Sequence, residues 1–183
     1  MTMHRPSHEL EACVPNILEA PVDGGEIAMI VVRPEEDRRE VIRSGALDTQ
    51  LGLVGDNWKG RGNPYTEDGL ADPEAQLTIM ISRVIEAVAP DRERWPLAGD
   101  QIYVDLDLSV ENLPAGTRLA IGEALVEISE KPHTGCQKFS ARFGTAALRF
   151  VNVGEGKIRR FRGVNAKVVR SGTFAVGDRI TQA

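Results

Sequence analysis

Over residues 102–110, the apolar side chains Ile102, Val104, Leu106, Leu108 and Val110 alternate without a break with Tyr103, Asp105, Asp107 and Ser109. A period of two sends alternate side chains to opposite faces of an extended chain. The stretch therefore predicts a half-buried β-strand and a core built by sheets. Other segments agree. Residues 27–32 and 76–81 are short apolar runs of strand length, and Leu119 and Ile121 lead into Gly122-Glu123, a two-residue hairpin turn from which 124–128 return. Residues 164–169 and 174–176 flank Ser171-Gly172, and Gly177-Asp178 turns into 179–181. Short strands separated by tight glycine turns predict a mainly β fold, a closed or nearly closed barrel with a few short helices. No strand–helix alternation, dinucleotide glycine fingerprint, P-loop or internal repeat competes with that reading.

Three helices are expected. Residues 34–44 carry Pro34, Glu35, Glu36 and Asp37 at a helix start, Arg43 near the end and Gly45 beyond it, with a thin apolar stripe of Val41 and Ile42. Ser82 is placed to cap a helix over 82–89 that ends at Pro90, and 139–152 spaces Phe139, Phe143, Ala146, Ala147 and Phe150 at helical intervals. Residues 1–25 read as an irregular lead-in, and 52–73, with five glycines and two prolines, as a long loop. The 183 residues fit a single domain.

No stretch reaches the ~20 apolar residues of a membrane helix, and the acidic start (Glu9, Glu11, Glu19) is unlike an export signal, so the expectation is a cytoplasmic protein. Cys13 and Cys136 match no zinc or disulfide framework and read as two free thiols. Charge is distributed unevenly. Between Lys131 and Arg170 lie ten basic residues and one acid, Glu155, giving +9 in a chain of net charge −5. If those cations converge they attract an anion; if they point apart they are merely solvated.

Cys136 sits in Lys131-Pro132-His133-Thr134-Gly135-Cys136-Gln137-Lys138-Phe139, a turn that runs into a helix. A thiol in a first helical turn beside Lys138 is in surroundings that favour the thiolate, both a nucleophile and a soft metal ligand. The plainer alternative is a packed cysteine. A Cys136–His133 dyad lacks an identifiable orienting residue, and the two as half of a zinc site lack a second ligand pair. Asp105 and Asp107 read as solvent-facing acids rather than a cation chelate, and Asp56 as turn chemistry.

The order of several motifs resembles the MOSC domain, the C-terminal module of molybdenum cofactor sulfurases and of small free-standing bacterial proteins. They are Gly52-x-x-Gly55-Asp56; Leu113-Pro114-Ala115-Gly116-Thr117 with Leu119 and Gly122; Cys136 with Lys138-Phe139; Arg162-Gly163-Val164-x-Ala166-x-Val168; and Gly172-x-x-x-Val176-Gly177-Asp178. The resemblance spans 52–183. It implies a MOSC-type β-barrel in which Cys136 binds the molybdenum of a molybdopterin cofactor or carries sulfur. Lys131, His133, Lys138, Arg142, Arg160, Arg162 and Asn165 are the residues expected to hold the anionic cofactor. It further implies metal–sulfur transfer or reduction of N-hydroxylated compounds. Pyridoxal phosphate would then reside on a partner cysteine desulfurase, and electrons would come from separate redox partners, since no iron–sulfur cysteine cluster is present. A non-catalytic barrel that recognises an anionic partner is the alternative, and nucleic acid ranks below both for want of a binding motif.

Overall fold

The computed structural model describes residues 4–183. Two short helices, α1 (Ser7–Glu11) and α2 (Val14–Leu18), precede β1 (Gly25–Val32). Then come β2 (Glu40–Ile42), β3 (Ser44–Asp48), β4 (Gly52–Leu53) and α3 (Trp58–Arg61). β5 (Leu77–Ile81) runs straight into α4 (Ser82–Val88), and a 3-10 segment, Arg92–Ala98, leads to β6 (Ile102–Asp105). The hairpin β7 (Arg118–Ile121) and β8 (Ala124–Ile128) is followed by α5 (Gln137–Phe143), α6 (Thr145–Asn152) and α7 (Glu155–Ile158). β9 (Val164–Arg170), β10 (Gly172–Ala175) and β11 (Arg179–Gln182) complete the chain.

Seven strands close into a barrel in the order β11-β7-β8-β9-β5-β6-β1, and β1 pairs back onto β11 through Gly25 with Ile180 and Glu26 with Arg179. Closure removes the unpaired strand edges that would otherwise template aggregation. On its other side β1 approaches β6 so closely that a Cβ on Gly25 would lie 2.2 Å from the Asp105 carbonyl oxygen. Every barrel pairing is antiparallel except β5 with β6, which needs a crossover, and α4 with the 3-10 segment supplies it. β2 extends β1 outside the ring, and β10, β3 and β4 form a small second sheet. Ile27, Ile79, Ile102, Val104, Leu119, Ile121, Val126 and Ile180 are fully buried, each burial contributing ~1.5–3 kcal/mol towards folding.

The structure confirms the mainly β barrel and the Gly122-Glu123 hairpin, in which Ile121 pairs with Ala124. It corrects several local expectations, among them the 52–73 loop, which holds β4 and α3. Residues 34–44 are not a helix. Asp37 turns the chain at φ 57°, after which β2 pairs with β1; a two-residue apolar stripe is too thin to hold a short helix, and Val41 and Ile42 are β-formers. The predicted strand over 102–110 ends at Asp105, because Asp107 bends the chain by accepting from the Ser109 amide (2.9 Å) and hydroxyl (3.0 Å). It is also buried on both faces rather than one: α4 and the 3-10 segment cover Tyr103, whose hydroxyl donates to the Trp95 carbonyl at 2.7 Å. The helix expected over 139–152 breaks at Gly144 (φ 91°), where a Cβ would meet the His4 ring at 2.8 Å. The lead-in, finally, is not irregular: α1 and α2 bury Leu10 and Ile17 against the core.

Candidate functional site

The segment between β8 and α5 is pinned along its length. Ser129 N–H donates to the Asn165 carbonyl (2.9 Å), and Asn165 Nδ2 donates to the Lys131 and Pro132 carbonyls (both 3.1 Å). Further on, Gly135 N–H donates to Asn152 Oδ1 (2.8 Å) and Asn152 Nδ2 returns a bond to the Gly135 carbonyl (2.9 Å). A loop whose backbone groups are satisfied this way presents a defined surface. It delivers Cys136 to the N-cap of α5 as an exposed, free thiol; Cys13, the other free thiol, is half-buried.

Beneath the loop lies a buried ion pair. Arg162 Nη1 donates to Asp100 Oδ2 at 2.6 Å, Nη2 donates to the Ala98 carbonyl at 2.9 Å, and the guanidinium stacks 5.0 Å from the centre of the Phe139 ring. The other Asp100 oxygen lies 2.9 Å from His133 Nε2. Burial alone would raise the Asp100 carboxyl, but Arg162 and His133 outweigh it and hold it below the usual carboxylate range. His133 is pushed the other way: burial, and then Arg162, lower its imidazole below its ordinary value against the pull of Asp100. A neutral ring that faces a carboxylate carries its proton on Nε2, which leaves Nδ1 as an acceptor.

The sequence-predicted residues do not form one cluster. Cys136, Lys138 and Arg142 line an open cleft of about 360 Å³. Lys131, His133 and Arg160 line a separate pocket of about 280 Å³ on the other side of the 129–135 loop. Arg162 and Asn165 lie buried and line neither. Lys131 is paired with Asp72, and Arg142 donates to the Leu97 carbonyl (2.8 Å) and reaches Asp37 at 3.4 Å.

The cleft at Cys136 acquires its charge from residues far away in sequence. Arg33, Arg38, Arg39 and Arg61 join Lys138 and Arg142, opposed by Glu35, Glu36 and Asp37 in the turn that overhangs them. Arg33 is committed to the fold: it holds Asp56 through Nε (2.8 Å) and Nη2 (2.9 Å), and Nη1 donates to the Gly99 carbonyl (2.8 Å). Arg39 is not. Its Nε is buried with no hydrogen-bond partner among the described residues, and the same is true of Asn57 Oδ1. Burial, and then the neighbouring Arg142, pull the Arg39 guanidinium below its ordinary value, as expected of a cation short of counter-charge. Lys138 meets Glu36 at 3.5 Å with both side chains largely in solvent, a pair of little strength.

Sequence reasoning did not assign Arg39, Arg61, Asn57, Asn152 or Asp100 to a site. Only Asp100 carried a local signal, an acid placed directly after a glycine and just before an apolar strand. Asp105 pairs with Arg83 at 2.6 Å, and among the described residues no three His, Cys, Asp or Glu side chains gather around a common point. Nor is any helix long and apolar enough to cross a membrane.

A family model described as MOSC domain matches residues 70–181. No curated protein matches the chain. Among solved structures it is similar to the YuaD protein from Bacillus subtilis, with a TM-score of 0.62 and 16% identity over 85% of this chain and 94% of that one. It is similar also to YiiM from Escherichia coli (TM-score 0.55, 18% identity, 86% and 69% coverage). YiiM from Geobacillus stearothermophilus aligns comparably (TM-score 0.56, 16% identity, 87% and 75% coverage). At these identities the likeness speaks for the fold.

Proposed function

This chain belongs to the MOSC domain family, and from that premise we propose that the cleft around Cys136 takes a molybdenum cofactor or, failing a resident cofactor, a carried sulfur atom. The observation that carries the reading is an exposed thiol opening into a cleft where a buried arginine donor, Arg39 Nε, has no partner among the described residues. An unsatisfied buried donor costs ~1–3 kcal/mol, more when charged, and an anionic ligand would recover it. The residues present fit such a group: Cys136 as the soft ligand, Arg39, Arg61 and Arg142 as donors to its phosphate, and Asn57 as a neutral partner for a hydrogen-bonding edge. When bound, the cofactor supplies the metal-centred redox or sulfur chemistry. The chain's own part is to hold and orient it, and to keep Cys136 reachable from solvent. In the sulfur-carrying case the Cys136 thiolate attacks the outer sulfur of a persulfide on a partner cysteine desulfurase. A new S–S bond forms on Cys136, and the partner's thiolate leaves.

The test is metal and oxidised-pterin analysis of protein made in a host competent for molybdenum cofactor synthesis and purified without oxygen. Molybdenum and pterin are expected in the wild type, with metal lost in Cys136→Ser and both lost in Arg39→Gln. Wild type with neither overturns stable cofactor binding. A gain of one sulfur on Cys136 after mixing with a desulfurase would then support the carrier reading, and its absence would end that as well.

A further inference from the structure

The pocket on the far side of the 129–135 loop combines features that the Cys136 cleft lacks. Its apolar wall is Val110, Pro132, Val151 and Val164. Set into that wall is the Ser129 hydroxyl, in a residue 4% exposed whose Oγ has no hydrogen-bond partner among the described residues. A buried hydroxyl left unpaired beside an apolar hollow is a standing cost that a ligand would remove.

Arg160 is the second observation, independent of the first. It is a non-glycine residue with φ 53°, a conformation that L-residues rarely adopt and that clusters at functional positions. That backbone sits at the end of α7, where Arg160 N–H donates to the Lys157 carbonyl (3.3 Å) and its own carbonyl accepts from Gly163 N–H (2.7 Å). One guanidinium nitrogen, Nη1, is used by the fold, donating to the Leu113 carbonyl at 2.7 Å. Among the described residues no carboxylate pairs with Arg160, and burial lowers its affinity for its proton with nothing acting to restore it. Lys157 adds positive charge to the lining, as does Lys131, which is already paired with Asp72, against the single lining acid Glu130. His133 contributes Nδ1, which makes no hydrogen bond among the described residues and, with Nε2 held by Asp100, is an acceptor.

We propose that this pocket is a second ligand site, for a small carboxylate with an apolar body. The carboxylate would meet Arg160, and the body the valine and proline wall. A carboxylate suits the site better than a phosphate. The fork of one arginine matches two oxygens of a planar anion, and the apolar lining would strand the further oxygens of a phosphate. The inference does not rest on the cofactor reading, because Cys136 lines the other cleft.

Benzoate and inorganic phosphate are the probes, titrated into the full chain and followed by calorimetry and by the His133 imidazole resonances. Benzoate is expected to bind and to shift His133. Its affinity should fall about tenfold or more in Arg160→Gln, the loss of a charged hydrogen bond, and be unchanged in Cys136→Ser. Because Arg160 also braces the Leu113 carbonyl, Lys157→Gln and Ser129→Val serve as further variants. The first should weaken benzoate a few-fold, and the second should block it by placing a methyl where the hydroxyl lies. No benzoate binding to the wild type would overturn the proposal. So would phosphate shifting the His133 resonances with an affinity equal to that of benzoate, or equal loss in Cys136→Ser.

Discussion

The cleft at Cys136 and the pocket at His133 lie on two sides of one loop and are both basic, yet they are built on opposite plans. In the cleft the cations are numerous, partly exposed and opposed by a single acidic turn, so counter-charge is close at hand and weakly held. In the pocket the cations are few. The central one is desolvated, and the wall around it is apolar. The first arrangement suits a large, highly charged ligand that displaces surface ion pairs; the second suits a small one that is swallowed. A run of basic residues in the sequence therefore says little about how many sites it serves. Here the fold divides one run between two sites and brings Arg33, Arg38, Arg39 and Arg61 to one of them from elsewhere.

The two sites share a foundation, the buried Asp100–Arg162–His133 group, and removing it offers the sharpest test of that view. Asp100→Ala leaves Arg162 as a buried, uncompensated charge and should cost ~3–5 kcal/mol in urea or guanidinium unfolding. Ligand binding should be lost on both sides of the loop; loss on one side alone would break the idea of a common foundation.

A smaller effect separates the sites by pH. The folded His133 imidazole lies below its ordinary value of 6.5, so in the window just under that value the unfolded chain takes up a proton that the native state refuses. Stability contributed by His133 is present above pH 6.5 and falls as pH drops towards the lowered folded value. Asp100, held below the carboxylate range, stays ionised throughout that window. Denaturant midpoints measured between about pH 7.5 and about pH 5.5 should therefore decline in the wild type and decline less in His133→Gln. Identical slopes would show that the ring is not desolvated as described.

The two cysteines compare the cleft with the N-terminal helices. Cys136 should alkylate in the native protein, whereas Cys13, half-buried with Sγ 3.3 Å from the Glu9 carbonyl, should lag. Mass spectrometry of the native protein after brief alkylation reads the order directly. Cys136→Ser should shift stability by no more than ~0.5 kcal/mol, since an exposed side chain leaves no cavity. A similarly small effect is expected at Asp37→Asn, which keeps a residue tolerant of the left-handed backbone and removes a carboxylate that faces Arg142. An exposed pair of this kind is worth ~0.2–1 kcal/mol, so inorganic phosphate should bind the cleft a few-fold more tightly, with no change for benzoate in the pocket.

Much of the barrel was legible. The glycine turn at Gly122-Glu123, the apolar runs that became β1, β5 and β9, and the position of Cys136 just ahead of a helix all follow from local pattern; its exposure does not. The lapses have physical causes. End signals at 34–44 described a good helix start, but helix ends do not hold a helix that has too little apolar face to bury. At 102–110 the period of two was real, and Leu106 and Leu108 are indeed buried. Burial does not require them to remain in a strand once Asp107 and Ser109 satisfy the backbone another way. Of the residues that line the cleft, Cys136, Lys138 and Arg142 were singled out together because they are neighbours in sequence, while Arg39 and Asn57 were not because nothing local distinguishes them from surface residues.

The sequence by itself determined the class of fold, since alternation and glycine turns depend only on near neighbours. It also determined that a thiol would lie between a strand and a helix, while leaving open whether it is packed or exposed. Only the tertiary structure decided where charge converges. Barrel closure brings the turn after β1 against α5 and slides Asp100 beneath His133 and Arg162, joining residues 33 and 62 positions apart. Electrostatic interaction falls with distance through space and is blind to distance along the chain. Patterns of charge in a sequence therefore name the participants, and the folded backbone chooses which of them meet.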